Sequence, residues 1–146
     1  MQSHFFKRLF IVILALFLQV SVGIAADIDC KASLFADNSL QTVKEQFSAY
    51  DKIYLQSFCQ HLSAGDYELT AVWHTPSGQI QRQDIHTFHL PEASGYSAFF
   101  WMKLHKKSTL RDVSSNGSFS DKKFGLWSVK MYLNEQSVAV ASFTIQ

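Results

Sequence analysis

Over residues 65–78 the chain alternates with a period of two. Tyr67, Leu69, Ala71 and Trp73 fall on one side; Glu68, Thr70 and His74 fall on the other, where Val72 is the apolar exception. A half-buried antiparallel strand requires this spacing, because successive side chains leave a strand on opposite faces. Gly65-Asp66 opens the stretch and Pro76-Ser77-Gly78 closes it, both with turn-forming residues. The same period recurs on either side. Cys30, Ala32 and Leu34 share a face over residues 30–35; Ile53, Leu55, Ser57 and Cys59 share one over residues 52–59. Over residues 96–104, Tyr96, Ala98, Phe100, Met102 and Leu104 alternate with Phe99 and Trp101, which reads as a strand covered in part on both faces.

The chain closes on a hairpin. Trp127, Val129, Met131 and Leu133 share one face, residues 134–137 turn, and Ala139, Ala141, Phe143 and Ile145 return. Residues 79–90 begin polar (Gln81, Arg82, Gln83, Asp84) and end apolar (Ile85, Phe88, Leu90), as an edge strand would. Over residues 40–47, Leu40, Val43 and Phe47 fit one helical face and also a short edge strand; strand or irregular structure is the preferred reading. Residues 61–65 and 91–95 read as connections. About seven short strands separated by turns predict an all-β fold, an antiparallel β-sandwich.

The N-terminus breaks the pattern. Lys7-Arg8 precedes an apolar run over residues 9–22, then Gly23-Ile24-Ala25-Ala26. That order predicts a signal peptide over residues 1–26, cleaved near Ala26, and a single domain over residues 27–146. The apolar run is short for a membrane span, and Gln19 and Ser21 interrupt it, so no membrane insertion is expected after processing. The expected location is the periplasm or the exterior. Removing Lys7 and Arg8 leaves 11 basic residues against 12 acidic ones. A near-neutral chain of this kind lacks the basic excess that a nucleic-acid partner calls for. Cys30 and Cys59 are an even pair in an exported chain and lie on the apolar faces of their strands, so a disulfide is expected.

Gly65-x-Tyr67-x-Leu69-x-x-x-Trp73-x-x-Pro76-x-Gly78, Gly125-x-Trp127-x-Val129 and Phe143-x-Ile145 resemble an immunoglobulin-like or fibronectin-like sandwich of bacterial envelope proteins, over residues 50–146. The resemblance implies a fold and leaves function open, since this sandwich carries many roles.

Candidate chemistry is sparse. No serine or histidine stands in a nucleophile elbow or Gly-rich setting, no acid pair is suggestive, and both cysteines are assigned to the disulfide. The chain is therefore read as a non-catalytic binding module without cofactor or metal, contacting another envelope or extracellular protein. The alternative is an exported copper-type protein using His61, His74, His86, His89 or His105. His86 and His89 are three apart, which puts them on opposite faces of a strand, where they do not chelate together. Phe99 and Trp101 have two readings: a loop or strand covers them, or they form an aromatic patch beside Lys103 and His105. Phe99, Trp101, Lys103 and His105 are the candidate binding residues. Residues 105–123 form the longest stretch without strand pattern, basic through Lys106, Lys107, Arg111, Lys122 and Lys123, and contain the Asn116-Gly117-Ser118 sequon.

Overall fold

The computed structural model describes residues 28–104 and 123–146. The expected leader, His105 and nearly all of the basic stretch lie outside the described residues. Eight strands follow in order: β1 (Asp29–Phe35), β2 (Gln46–Phe47), β3 (Lys52–Leu62), β4 (Gly65–His74), β5 (Ile80–Leu90), β6 (Ser94–Lys103), β7 (Gly125–Leu133) and β8 (Gln136–Ile145). They form two sheets, one in the order β1-β3-β6 and one in the order β2-β8-β7-β4-β5. With β1, β3, β4, β6, β7 and β8 as strands A, B, C, E, F and G, the sheets contain the A-B-E and C-F-G neighbours of an immunoglobulin-type sandwich. All pairings are antiparallel except β2 with β8, which is parallel.

The inward faces meet in one core. Trp73 and Trp127 are both fully buried and flank Phe143, with ring centroids 6.2 and 6.0 Å from it. Phe47 meets the same ring edge-on at 5.7 Å, which explains why the two-residue β2 holds its place. Each indole also satisfies its N–H, as a buried donor must. Trp73 Nε1 donates to Asp84 Oδ2 at 3.0 Å, and Trp127 Nε1 donates to the Lys123 carbonyl at 2.7 Å. Ile53, Leu55, Ala98, Phe100 and Met102 supply the opposing layer from β3 and β6.

Cys30 and Cys59 are bonded, and they lie directly opposite each other in the β1–β3 register. The bond thus ties neighbours within one sheet, whereas the antibody-type bridge crosses between strands B and F. Structural disulfides belong to oxidising compartments, so the bond points to an extracellular or periplasmic location.

Two details depart from the sequence reading. β3 runs on to Leu62 through a bulge between Cys59 and Leu62, with His61 at φ 60°. The bulge resets the alternation, so Cys59 and Leu62 are both buried although three apart. The closing turn is two residues, not four. Asn134 and Glu135 both take positive φ, the form that matches the twist of a hairpin. Asn134 then binds β4, donating its N–H to the Glu68 carbonyl and accepting the Glu68 N–H on Oδ1, each at 2.8 Å. Residues 36–45 are irregular apart from a bridge from Phe35 to Val43 and lead into β2, in line with the preferred reading of strand or irregular structure. The outer face of β6 is half open, as partial cover on both faces implies: Phe99 and Trp101 keep 57% and 47% of their surface on what is, among the described residues, the edge of a three-stranded sheet, with Asn38 and Leu40 beside them.

Candidate functional site

The outer face of the β1-β3-β6 sheet carries three of the exposed aromatic side chains, Phe58, Phe99 and Trp101. On β6 the inward set Ala98, Phe100 and Met102 is buried, and strict alternation drives Phe99 and Trp101 outward. Phe99 is 57% exposed and Trp101 47%. On β3 the same alternation turns Lys52, Tyr54, Gln56 and Phe58 outward opposite them. Tyr54 pairs with Trp101, Gln56 with Phe99, and Phe58 with Ser97. This face thus carries Tyr54, Phe99 and Trp101 together, whereas the Phe58 ring leans the other way along β6, to 3.2 Å from where a Cβ on Gly95 would sit. Beside it a groove of about 360 Å³ is lined by Asn38, Leu40, Tyr54, Phe99 and Trp101.

Cations border this surface. The Lys52 ammonium lies 4.0 Å from the centroid of the Trp101 ring and 4.8 Å from that of Tyr54. Arg82 reaches across from β5, its guanidinium 5.5 Å from the Trp101 centroid. Its position is fixed by Asp84, which accepts from Arg82 Nε at 2.7 Å while holding the Trp73 indole N–H on its other oxygen. One carboxylate thus connects the core to the rim of the aromatic surface. Lys103 is exposed and stands directly opposite Lys52.

The sequence reading named Phe99, Trp101, Lys103 and His105 as candidates; the first three lie on the outward face of β6, and His105 lies outside the described residues. It missed Tyr54, Phe58 and Lys52, although the alternation of residues 52–59 that marked the inward face also defines them as the outward one. Arg82 had no signal in the sequence, because its reach to Trp101 depends on β5 and β6 being the adjacent edges of different sheets.

Two of the histidines are engaged on β5. His86 Nε2 hydrogen-bonds Tyr96 Oη at 2.7 Å, within a stack in which Phe88 and Tyr96 lie 3.7 Å apart and Tyr67 covers Phe88 at 5.3 Å. This stack closes the gap between β5 and β6. His89, on the opposite face of β5, pairs with Asp66 Oδ1 at 2.7 Å. Among the described residues no three of His, Cys, Asp and Glu converge as metal ligands do. Two carboxylates are held below their ordinary value. The Ser39 hydroxyl and amide do so for Asp37, and the Ser48 amide, aided by Lys44, does so for Asp51. Each belongs to a local turn. A wider depression of about 760 Å³ runs along residues 43–48 and Gln146 and holds the half-buried Lys44–Asp51 pair and the Gln146–Gln46 hydrogen bond.

No family model matches the sequence, and no curated protein matches it. Among solved structures, a calcium-binding mutant of Bacteroides uniformis beta-glucuronidase 2 is similar at 12% identity and a TM-score of 0.44, covering 79% of this chain and 12% of that one. A putative beta-galactosidase from Bacteroides fragilis is similar at 14% identity and a TM-score of 0.44, covering 76% of this chain and 15% of that one. This chain therefore spans less than a sixth of either protein. A likeness so distant leaves any reading of function to the chain's own residues.

Proposed function

We propose that the protein is an exported, non-catalytic binding module of the periplasm or cell exterior, and that it contacts another envelope or extracellular protein through the outer face of β1-β3-β6. The observation that carries this reading is the side-by-side exposure of Phe99 and Trp101, with Tyr54 opposite Trp101. Large aromatic rings held rigidly on a sheet supply contact area at little entropic cost, and interface hot spots are enriched in Trp, Tyr and Arg. The Lys52 and Arg82 cations set the Trp101 ring in place and leave about half of its surface open.

Trp101→Ala separates this reading from a structural role. The variant is expected to keep its thermal midpoint near wild type, costing about 1 kcal/mol or less, as surface substitutions do. Its capture of the native partner, read by crosslinking in the host, should fall at least about thirtyfold, as for a hot-spot residue. A loss of stability as large as that of a core tryptophan, or undiminished capture, would overturn the assignment.

A further inference from the structure

We infer that the free edge of β6 accepts an extended peptide segment of the partner as an added strand, a segment alternating acidic and apolar residues. The inference rests on the binding reading above and extends it to the partner's chemistry and mode of docking.

The strand order leaves one side of β6 unpaired among the described residues. In a constant-type immunoglobulin sandwich strand D lies there, beside strand E. Here residues 91–93 alone join β5 to β6, so that connection supplies no such strand. Among the described residues the edge is also unguarded. From Ser94 to Met102, β6 carries neither charge nor proline, whereas β5, the neighbouring edge, carries Arg82 and Asp84. Charges and prolines are the usual protection of an edge against pairing with another chain.

The register shows which backbone groups are on offer. The Cα atoms of Cys30 and Cys59 are 4.0 Å apart, the narrow spacing of a pair that exchanges no hydrogen bonds. Cys59 therefore turns its N–H and C=O away from β1, toward β6. Its carbonyl oxygen indeed lies 3.2 Å from where a Cβ on Gly95 would sit. From Cys59–Tyr96 the ladder continues without a shift to Ile53–Met102. Tyr96, Ala98, Phe100 and Met102 thus bond to β3, and Ser97, Phe99 and Trp101 direct their N–H and C=O groups to the open edge. These are the residues whose side chains lie on the aromatic face. An added strand would satisfy their backbone and lay alternate side chains against the Phe99 and Trp101 rings.

Charge decides what those side chains are. Lys52 and Lys103 stand opposite each other, an arrangement that destabilises a strand pair. Among the described residues no carboxylate lies within ion-pair distance of either. Acidic residues on the outer face of the added strand would meet both lysines; their neighbours, turned toward the sandwich interior, would be apolar.

The test uses the mature protein with two synthetic peptides, one alternating Glu with Val and one alternating Lys with Val. The Glu peptide should bind at least about tenfold tighter than the Lys peptide by calorimetry. On binding, the amides of Ser97, Phe99 and Trp101 should gain protection from hydrogen exchange while those of Ala98 and Phe100, already bonded to β3, stay as they were. Ser97→Pro removes an outward N–H and fills the edge without disturbing the bonds to β3, so it should abolish peptide binding, while Ser97→Thr should retain it. Equal affinity for the two peptides overturns the inference. Protection at Ala98 and Phe100 instead does so too, and this readout stands even if Ser97→Pro does not fold. Binding that survives Ser97→Pro but is lost in Trp101→Ala rejects strand addition and leaves the aromatic face standing; binding indifferent to both rejects the face as well. A dimer of the protein alone that Ser97→Pro dissolves would make a second copy the occupant and overturn the acidic partner.

Discussion

Trp127→Ala is expected to lower the thermal midpoint by roughly 10–20 °C, the counterpart of losing about 3–5 kcal/mol in a domain of this size. The side chain is fully buried near the start of β7 and stacks on Phe143, whose ring also meets Trp73 and Phe47. Removing it opens a cavity where both sheets converge and leaves the Lys123 carbonyl without its indole donor. Trp73→Ala should be as costly, since it also strips Asp84 of the donor that holds one of its oxygens. Trp73→Phe divides the effect: it keeps most of the buried ring and loses the hydrogen bond. Thermal unfolding of the variants beside Trp101→Ala checks the whole set. Equal losses at all three tryptophans would mean that Trp101 is a packing residue and would remove the candidate site.

Reduction of the Cys30–Cys59 bond is the second large effect. The bond closes a loop with a sequence separation of 29, for which the lost loop entropy corresponds to about 3.5 kcal/mol. It also fastens β1, an edge strand, to the centre of its sheet. Unfolding in denaturant with and without reductant should show the midpoint falling on reduction with little change in slope. The double variant Cys30→Ala, Cys59→Ala should match the reduced protein and ignore the reductant. An oxidised and a reduced protein of equal stability would show that β1 is held by its ladder alone. Free-thiol labelling of the denatured, unreduced chain should find none.

The fold was legible where side chains alternate without interruption. Residues 65–74 and 125–133 read as strands because each is central in its sheet, so burial on one face writes a clean period of two. Legibility ended where backbone geometry broke the period. The bulge at His61 hid the last residues of β3, and the positive-φ pair Asn134-Glu135 shortened a turn whose sequence allowed four residues. β2 was hard to read because two residues carry no period, and its place is set by Phe47 packing on Phe143. The candidate site was half legible. Phe99 and Trp101 stood out as aromatic residues on the wrong face of an apolar strand. Whether anything covered them depended on sheet width, which follows from pairings between distant segments and not from local pattern. The polar start of β5 marked an edge, as expected, yet Arg82 and Asp84 there lie on its inward side. They are tolerated because the five-stranded sheet overhangs the three-stranded one, and they bind Trp73 and Trp101 from that overhang.

The most direct test of a binding role for this face compares two photo-crosslinking positions in the native host. One replaces Phe99, on the outer face of β6; the other replaces Val140, equally exposed at 57% on the outer face of the opposite sheet. Both outward positions are open to solvent, so each probe should leave the fold intact. A discrete adduct with one partner from position 99, and none from position 140, is the result this account requires. An adduct from position 140 with none from position 99 would place the contact on the other sheet and contradict it.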